Sequence, residues 1–529
     1  MSDHPLVIGT RGSRLALWQA DHIEARLKAH GHQTAQRIIK TQGDRVQDLS
    51  FDKMEGKGFF TKEIENELLA GTIDLAIHSC KDLETRDPEG LHIAAIAGRA
   101  ACEELLIIRA DAVDASQGLS LGHGVVVGTS SARRKSQLQM FRPDVRIADL
   151  RGNVPTRVEK LRNGEYDAIL LAKAGIDRLG LDLSEFHTQV LDPRVFVPAP
   201  AQGALAVQSR CEDVRANAAS EDLHDDEAAL CVGLERAVLF GYRGGCQVPL
   251  GVHAIRTASG FSLWASAART WDAPPLRTWL VGTDANVLAS EAVARLQRTP
   301  TALRVLITRE HRPDGLLARA LQAHGLLVTG QQLLLAEALS FHVPTGFDRL
   351  FFTSRNAVRY FVQGGGDLNA GRCDAIGGGT AEELRRHGAD VAFIGDGPDT
   401  PTIAAGYAAR FATQRVLFPC AETGLRTVQK AMPAGRVIDL PVYRMRPVAF
   451  ASVPEADVVI VTSPEHASAL HSLKPLGSFA HRIAMGTSTA QRIRELSGAE
   501  AVIPWASNEM ALVDAVFNIA TRSDGRSMS

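Results

Sequence analysis

Short apolar runs alternate with helix-spaced segments along this chain from one end to the other, and that alternation restricts it to an α/β architecture. Leu6-Val7-Ile8 is a strand-like run, followed by Ala16, Ala20, Ile23 and Leu27 at helical spacing and by Gly31 as a C-cap. Phe60, Ile64 and Leu68 predict another helix. Ile73, Leu75 and Ile77 then alternate as a strand that delivers His78-Ser79-Cys80-Lys81-Asp82 to its C-terminal end, where ligands gather in open α/β sheets. The unit returns as Val125-Val126-Val127-Gly128 before Thr129-Ser130-Ser131-Ala132-Arg133-Arg134, where hydroxyls can cap a helix whose free N–H groups favour an anion. It returns again as Ala168-Ile169-Leu170-Leu171-Ala172, leading toward Arg178.

A single core cannot organise 529 residues, so several domains of ordinary size are expected. The pattern breaks at Gln297-Arg298-Thr299-Pro300-Thr301 and restarts with Arg304-Val305-Leu306-Ile307-Thr308, which sets the main boundary. Beyond it the chain repeats itself. Phe352-Thr353-Ser354 returns as Val461-Thr462-Ser463, and Thr380 of Gly377-Gly378-Gly379-Thr380-Ala381 returns as Thr489 of Gly486-Thr487-Ser488-Thr489-Ala490, both at a separation of 109 residues. A common offset predicts two similar α/β lobes with a ligand between them.

Composition excludes several classes. The roughly eighteen-residue apolar run of a membrane span is missing, so no membrane partner is expected. A formal net charge of -2 argues against nucleic acid. Met1-Ser2-Asp3-His4-Pro5 leads straight into the first strand without the basic and apolar regions of a secretory signal, which points to the cytoplasm. Seven scattered cysteines without a Cys-x-x-Cys pair suggest neither a disulfide framework nor a zinc ribbon, and no metal is expected.

Arg11, Arg133, Arg134, Arg151, Arg157 and Arg178 all fall near the end of a predicted strand or the start of a helix, where one cleft can collect them. Guanidinium forks match carboxylates, so the expected ligand is small and carries several carboxylates or phosphates. Asp82 brings a carboxylate among these cations, suited to stabilising a developing positive charge, although a surface ion pair is the commoner role of an aspartate beside a lysine such as Lys81. Lys53 and Lys57 lie in a polar glycine-containing stretch that reads as a loop or a lid. Cys246, in Gly244-Gly245-Cys246-Gln247, is displayed on a glycine-flanked loop; locally it serves equally as an attachment thiol or as a bystander. Gly377-Gly378-Gly379 lacks the spacing of a dinucleotide turn.

Thr10-Arg11-Gly12-Ser13, His78-Ser79-Cys80-Lys81-Asp82, Gly128-Thr129-Ser130-Ser131-Ala132-Arg133-Arg134, Leu150-Arg151-Gly152-Asn153-Val154 and Gly245-Cys246-Gln247-Val248-Pro249 together resemble the porphobilinogen deaminase (hydroxymethylbilane synthase) family. The resemblance implies a heme-biosynthesis enzyme that joins four porphobilinogen units head to tail with release of ammonia. It implies two lobes like those of periplasmic binding proteins, about 1–100 with 199–217 and about 104–195, and a third α+β domain at about 222–298. Cys246 matches the cysteine that carries a covalent dipyrromethane cofactor, and Asp82 the catalytic carboxylate. Lys81, Ser131, Arg133 and Arg134 match positions serving the cofactor, and Arg11, Ser13, Arg151, Arg157 and Arg178 positions serving the substrate. Leu83-Glu84 replaces a usual proline two residues after the aspartate, and Ala201 stands where glycine is usual.

Residues 303–525 are similar to uroporphyrinogen-III synthase, through Val305-Leu306-Ile307-Thr308-Arg309, Phe352-Thr353-Ser354, Val442-Tyr443-Arg444, Val461-Thr462-Ser463-Pro464 and Gly486-Thr487-Ser488-Thr489-Ala490. That implies a bilobal α/β enzyme that closes the linear tetrapyrrole with inversion of its last ring. Thr353, Ser354, Thr462, Ser463 and Thr489 would meet the substrate or cap helices. Tyr443 matches a tyrosine proposed to assist loss of the hydroxyl, and reads equally as a packing residue. Phe418-Pro419-Cys420-Ala421-Glu422 departs from the family's glycine-containing turn. Two other readings stand beside the bifunctional enzyme: an active deaminase with a noncatalytic tetrapyrrole-binding second half, and a bilobal small-molecule-binding protein.

Overall fold

The computed structural model describes residues 4–41, 61–242, 248–397, 400–448 and 452–522. Cys246, Lys53 and Lys57 lie outside the described residues. The chain divides into two compact units, one of Met1–Thr301, Arg319–Gly325 and Val513–Ser529, the other of Ala302–Ala318 and Leu326–Leu512.

In the first unit the strand Leu6–Arg11 pairs in parallel with Thr34–Ile39 and Leu75–Ser79, and the helix Arg14–Ala29 crosses between them. Ala20, Ile23 and Leu27 recur on one face of that helix and are buried, each large one worth about 1.5–3 kcal/mol of transfer free energy. Ser13 caps it by accepting from the Ala16 N–H, and Gly31, at φ 87°, turns the chain out of it. Ala204–Arg210 enters this sheet antiparallel, between Leu75–Ser79 and Leu91–Arg99. The second sheet repeats the scheme: Val126–Gly128 lies parallel to Arg146–Ala148 and Ala168–Ala172, and Glu104–Ile108 lies antiparallel to Ala168–Ala172 and His187–Leu191.

Two crossing segments join these lobes, and they are bonded to each other. Ala100 donates to the Gly203 carbonyl at 3.0 Å, and Gln202 Nε2 donates to the Cys102 carbonyl at 2.8 Å. A Cβ on Gly203 would lie 2.4 Å from the Ala100 oxygen, so only glycine permits the approach. Ala201, two residues earlier, sits at φ 61°, a left-handed conformation that glycine adopts without strain. What holds it there is Glu235, wholly buried on the helix Asp226–Gly241, which accepts from the Ala201 N–H at 2.7 Å and grips Arg99 bidentately at 2.9 and 3.0 Å. That helix and Ala285–Gln297 cover a third, antiparallel sheet of Leu250–Thr257, Gly260–Ala267 and Leu276–Gly282.

The second unit holds two sheets built on one plan. Val437–Pro447, Val416–Ala421, Arg349–Phe352, Arg372–Ala375 and Val391–Ile394 run parallel, with Leu334–Ala338 antiparallel at the edge. Leu327–Gly330, Arg304–Ile307, Val458–Val461 and His481–Ala484 run parallel in the same relative order, continued by a bridge from Ile483 to Val502. The repeat expected from the sequence is therefore structural. Ser354 and Ser463, at nearly identical backbone angles (φ -160° and -158°), cap the helices Arg355–Gln363 and Pro464–Leu473.

Candidate active site

The strand Leu75–Ser79 ends in a single helical turn, Cys80–Asp82, that sets Asp82 in solvent while Cys80 and His78 stay buried. Burial keeps the His78 imidazole neutral, pushed down to about 4, and pushes the Cys80 thiol up to about 11, so neither serves chemistry at neutral pH. Lys81 donates to Gln202 Oε1 at 3.2 Å, touching the crossing segment. Its ammonium is pushed down to about 8, by burial first and then by Arg134 and Arg133, against the pull of Asp82 and Glu104.

Arg133 and Arg134 open the helix Ala132–Phe141 and turn inward. Their Nη2 atoms take one oxygen each of Glu104, at 2.6 and 2.7 Å, and their Nη1 atoms donate to the Val197 and Leu170 carbonyls, each at 3.0 Å. Burial alone would raise the Glu104 carboxyl; Arg134 and Arg133 override it and hold it at about 2. Arg134 Nε is buried without a hydrogen-bond partner among the described residues. Ser131 precedes the helix but its hydroxyl does not cap it. Arg157, on the helix Val154–Arg162, donates to the Gly152 carbonyl at 2.7 Å; burial and then the charges of Arg134 and Arg151 push it down to about 10, opposed by Asp82. Arg178 bridges the lobes: it donates to the Gly203 carbonyl at 2.7 Å and lies 5.6 Å above the Trp18 ring. Arg11 ends the first strand, close enough for its charge to act on His78.

Lys81 thus feels the charges of Asp82, Arg133, Arg134 and Glu104, and Arg157 those of Arg134, Arg151 and Asp82, so that Asp82 and Arg134 are common to both sets. Ser13 is turned to helix capping. Glu104 and Gln202 are the members that motif reading passed over. The available signal was Glu104 standing at the head of the apolar run Leu105–Ile108, where a charge needs a partner. A surplus of cations, one of them repelled by its neighbours, and an unpartnered buried Arg134 Nε fit a polycarboxylate group such as a dipyrromethane with acetate and propionate arms.

In the second unit Tyr443 is buried in the core, its hydroxyl 3.2 Å from that of Ser354 and its ring stacked on Tyr360 at 5.4 Å. Burial pushes its phenol up. Ser354 and Ser463 accept from the N–H groups of Ala357 and His466, and Ser463 also meets His466 Nδ1 at 2.9 Å. Thr462 bonds to Thr308, Thr353 is half-buried at its strand end, and Thr489 is buried in the helix Thr487–Ser497.

Fold and site define a first unit of two α/β lobes with a cluster of cations around Glu104, Lys81 and Asp82, followed by a second bilobal α/β unit. Residues 6–218 match the family described as porphobilinogen deaminase, dipyromethane cofactor binding domain, and residues 331–514 match uroporphyrinogen-III synthase HemD. The porphobilinogen deaminase of Nitratidesulfovibrio vulgaris (strain DP4) is 44% identical over 300 residues, 55% of this chain and 93% of that protein. That of Syntrophobacter fumaroxidans is 44% identical over 257 residues, 48% and 81% of the respective chains. A solved uroporphyrinogen-III synthetase from Helicobacter pylori covers 41% of this chain and 99% of its own at 17% identity and a TM-score of 0.33, too slight a likeness to carry an argument. The chain belongs to the porphobilinogen deaminase family, and residues 331–514 after that region match the uroporphyrinogen-III synthase HemD family model.

Proposed function

We propose that this chain makes hydroxymethylbilane from four porphobilinogen units, releasing ammonia, and closes it to uroporphyrinogen III. The observation that carries the first activity is the cation cluster around Asp82 and Lys81, on a chain matched to the deaminase family. Each incoming pyrrole brings two carboxylates, and Arg11, Arg151, Arg157 and Arg178 bind them. Lys81, Ser131 and the free Nε edge of Arg134 hold the cofactor's carboxylates, and Arg133 braces Arg134 through Glu104. The dipyrromethane group, attached through Cys246, supplies the pyrrole end from which the chain is extended. Asp82 faces the pyrrole that turns cationic as ammonia leaves, stabilises that charge, and orients the proton lost when the new bond is made.

In the second unit Tyr443, polarised by Ser354, assists departure of the bilane hydroxyl before ring closure. Linking the two activities in one chain limits spontaneous closure of the free bilane to the wrong isomer. Unpaired thiols at Cys80, Cys102, Cys211, Cys231, Cys373 and Cys420 favour a reducing compartment, the cytoplasm. No helix among the described residues is long and apolar enough to cross a membrane.

The test is anaerobic incubation with porphobilinogen, oxidation, and chromatographic separation of the uroporphyrin isomers. Predominantly isomer III is expected. Isomer I alone would leave the second unit a noncatalytic binder, and no porphyrin would overturn the deaminase reading. Intact mass should show the dipyrrole on the parent chain and its loss in Cys246→Ser.

A further inference from the structure

The end of the chain returns to the first unit and closes a surface there. Leu276–Gly282 is the edge strand of the third sheet. Arg277, on that strand, is wholly buried, and its Nε and Nη2 reach the two oxygens of the equally buried Asp514 at 2.7 and 3.2 Å. One turn further on, Asn518 accepts from the Thr278 hydroxyl at 2.7 Å and from the Trp279 N–H at 3.4 Å, and donates back to the Trp279 carbonyl. Its amide therefore satisfies the outward backbone groups of an edge residue, as a further strand would. Arg295 and Arg298 donate to the carbonyls of Asn518 and Thr521 at 3.0 and 2.9 Å.

Arg277 works in two directions. Its Nη1 and Nη2 also donate to the carbonyls of Val195 and Arg194, at 2.9 and 2.7 Å. Two residues on, the Val197 backbone exchanges bonds with the Gln137 amide at 2.7 and 2.9 Å and accepts from Arg133 Nη1. Gly251 packs so closely here that a Cβ would lie 2.6 Å from the Val197 oxygen. Arg133 in turn holds Glu104, which holds Arg134. Polar contacts, joined by the backbone from Val195 to Val197, thus link the helix Glu509–Ala520 to Arg133 and Glu104.

We infer that the end of the C-terminal helix is a working part of the deaminase, and that Asp514 is a positioning residue acting through Arg277 on the 194–197 segment and Arg133. The inference rests on the deaminase reading above. A buried guanidinium stripped of its counter-charge is strongly disfavoured, so the surface around Arg277 has residues 513–522 of its own chain as obligate partner.

The experiment compares the full-length parent with Asp514→Asn and with Arg277→Met/Asp514→Leu, which removes both charges and is chosen to remain folded. Hydroxymethylbilane formation, cyclisation of separately supplied hydroxymethylbilane, and the thermal midpoint are measured. At a temperature where each variant is folded, kcat for hydroxymethylbilane formation should fall by about tenfold or more, with KM for porphobilinogen and the cyclisation rate within about twofold of the parent. A folded double variant with the parent's kcat would overturn the inference. A parent that forms no hydroxymethylbilane would overturn the deaminase reading itself.

Discussion

Two guanidinium groups converge on Glu104, and its carboxylate compensates both in a place that water does not reach. Glu104→Gln leaves two buried arginines with a neutral partner, and should lower unfolding free energy by about 3–5 kcal/mol, read from the urea midpoint. The pH dependence follows from the same pair. With the folded carboxyl held at about 2 against an ordinary 4.5, the stabilisation is fully present above 4.5 and is lost as pH falls through 2. Glu104→Gln should lack that part of the acid sensitivity. Lys81 is shifted in the same direction: its folded ammonium, pushed down to about 8 from 10.5, loses its proton as pH rises through 8, and bound carboxylates draw that proton back. Cofactor association with the apoprotein at about pH 9 should take up protons, seen by calorimetry in buffers of different ionisation heat, and Lys81→Gln should abolish the buffer dependence.

Helix starts decide the chemistry available to the second unit. Ser354 and Ser463 occupy matching N-caps on the two repeats, so each hydroxyl is already engaged with a backbone N–H. Ser463→Ala should cost about 1 kcal/mol of stability by thermal denaturation, with little effect on the isomer ratio. Tyr443→Phe separates packing from chemistry, because the stack on Tyr360 survives while the hydroxyl facing Ser354 does not. Its expected stability loss is about 1 kcal/mol, whereas cyclisation of supplied hydroxymethylbilane should slow by about a hundredfold, with isomer I rising in the products.

Across the whole molecule, the first compact unit is discontinuous in sequence, since Arg319–Gly325 and Val513–Ser529 belong to it. Arg319 donates to the carbonyl of Phe141 at 3.0 Å, and His324 packs edge-on against Phe517 at 5.1 Å. A chain ended at Thr301 would keep every deaminase motif and lose these contacts together with the partner of Arg277. Its thermal midpoint should lie about 5–10 °C below that of the first transition of the full chain, measured by calorimetry.

Local pattern was enough to specify the alternation of strand and helix, the delivery of Asp82, Arg11, Arg133 and Arg134 to strand ends and a helix start, and the 109-residue repeat, whereas Arg178 falls in the last turn of the helix Lys173–Leu179. Periodicity and capping act over a few residues, and a string of letters displays them. Partnership between distant charges is another matter. Glu104 with Arg133, Glu235 with Arg99, and Asp514 with Arg277 are separated by 29, 136 and 237 residues, and nothing near any of them announces the match. Desolvation makes each pairing obligatory, and desolvation exists only after packing has removed the water. The same holds for Ala201, whose left-handed backbone is held by Glu235 on the helix Asp226–Gly241, and for the helix Glu509–Ala520, whose Asp514 is the counter-charge of a buried arginine in the first unit.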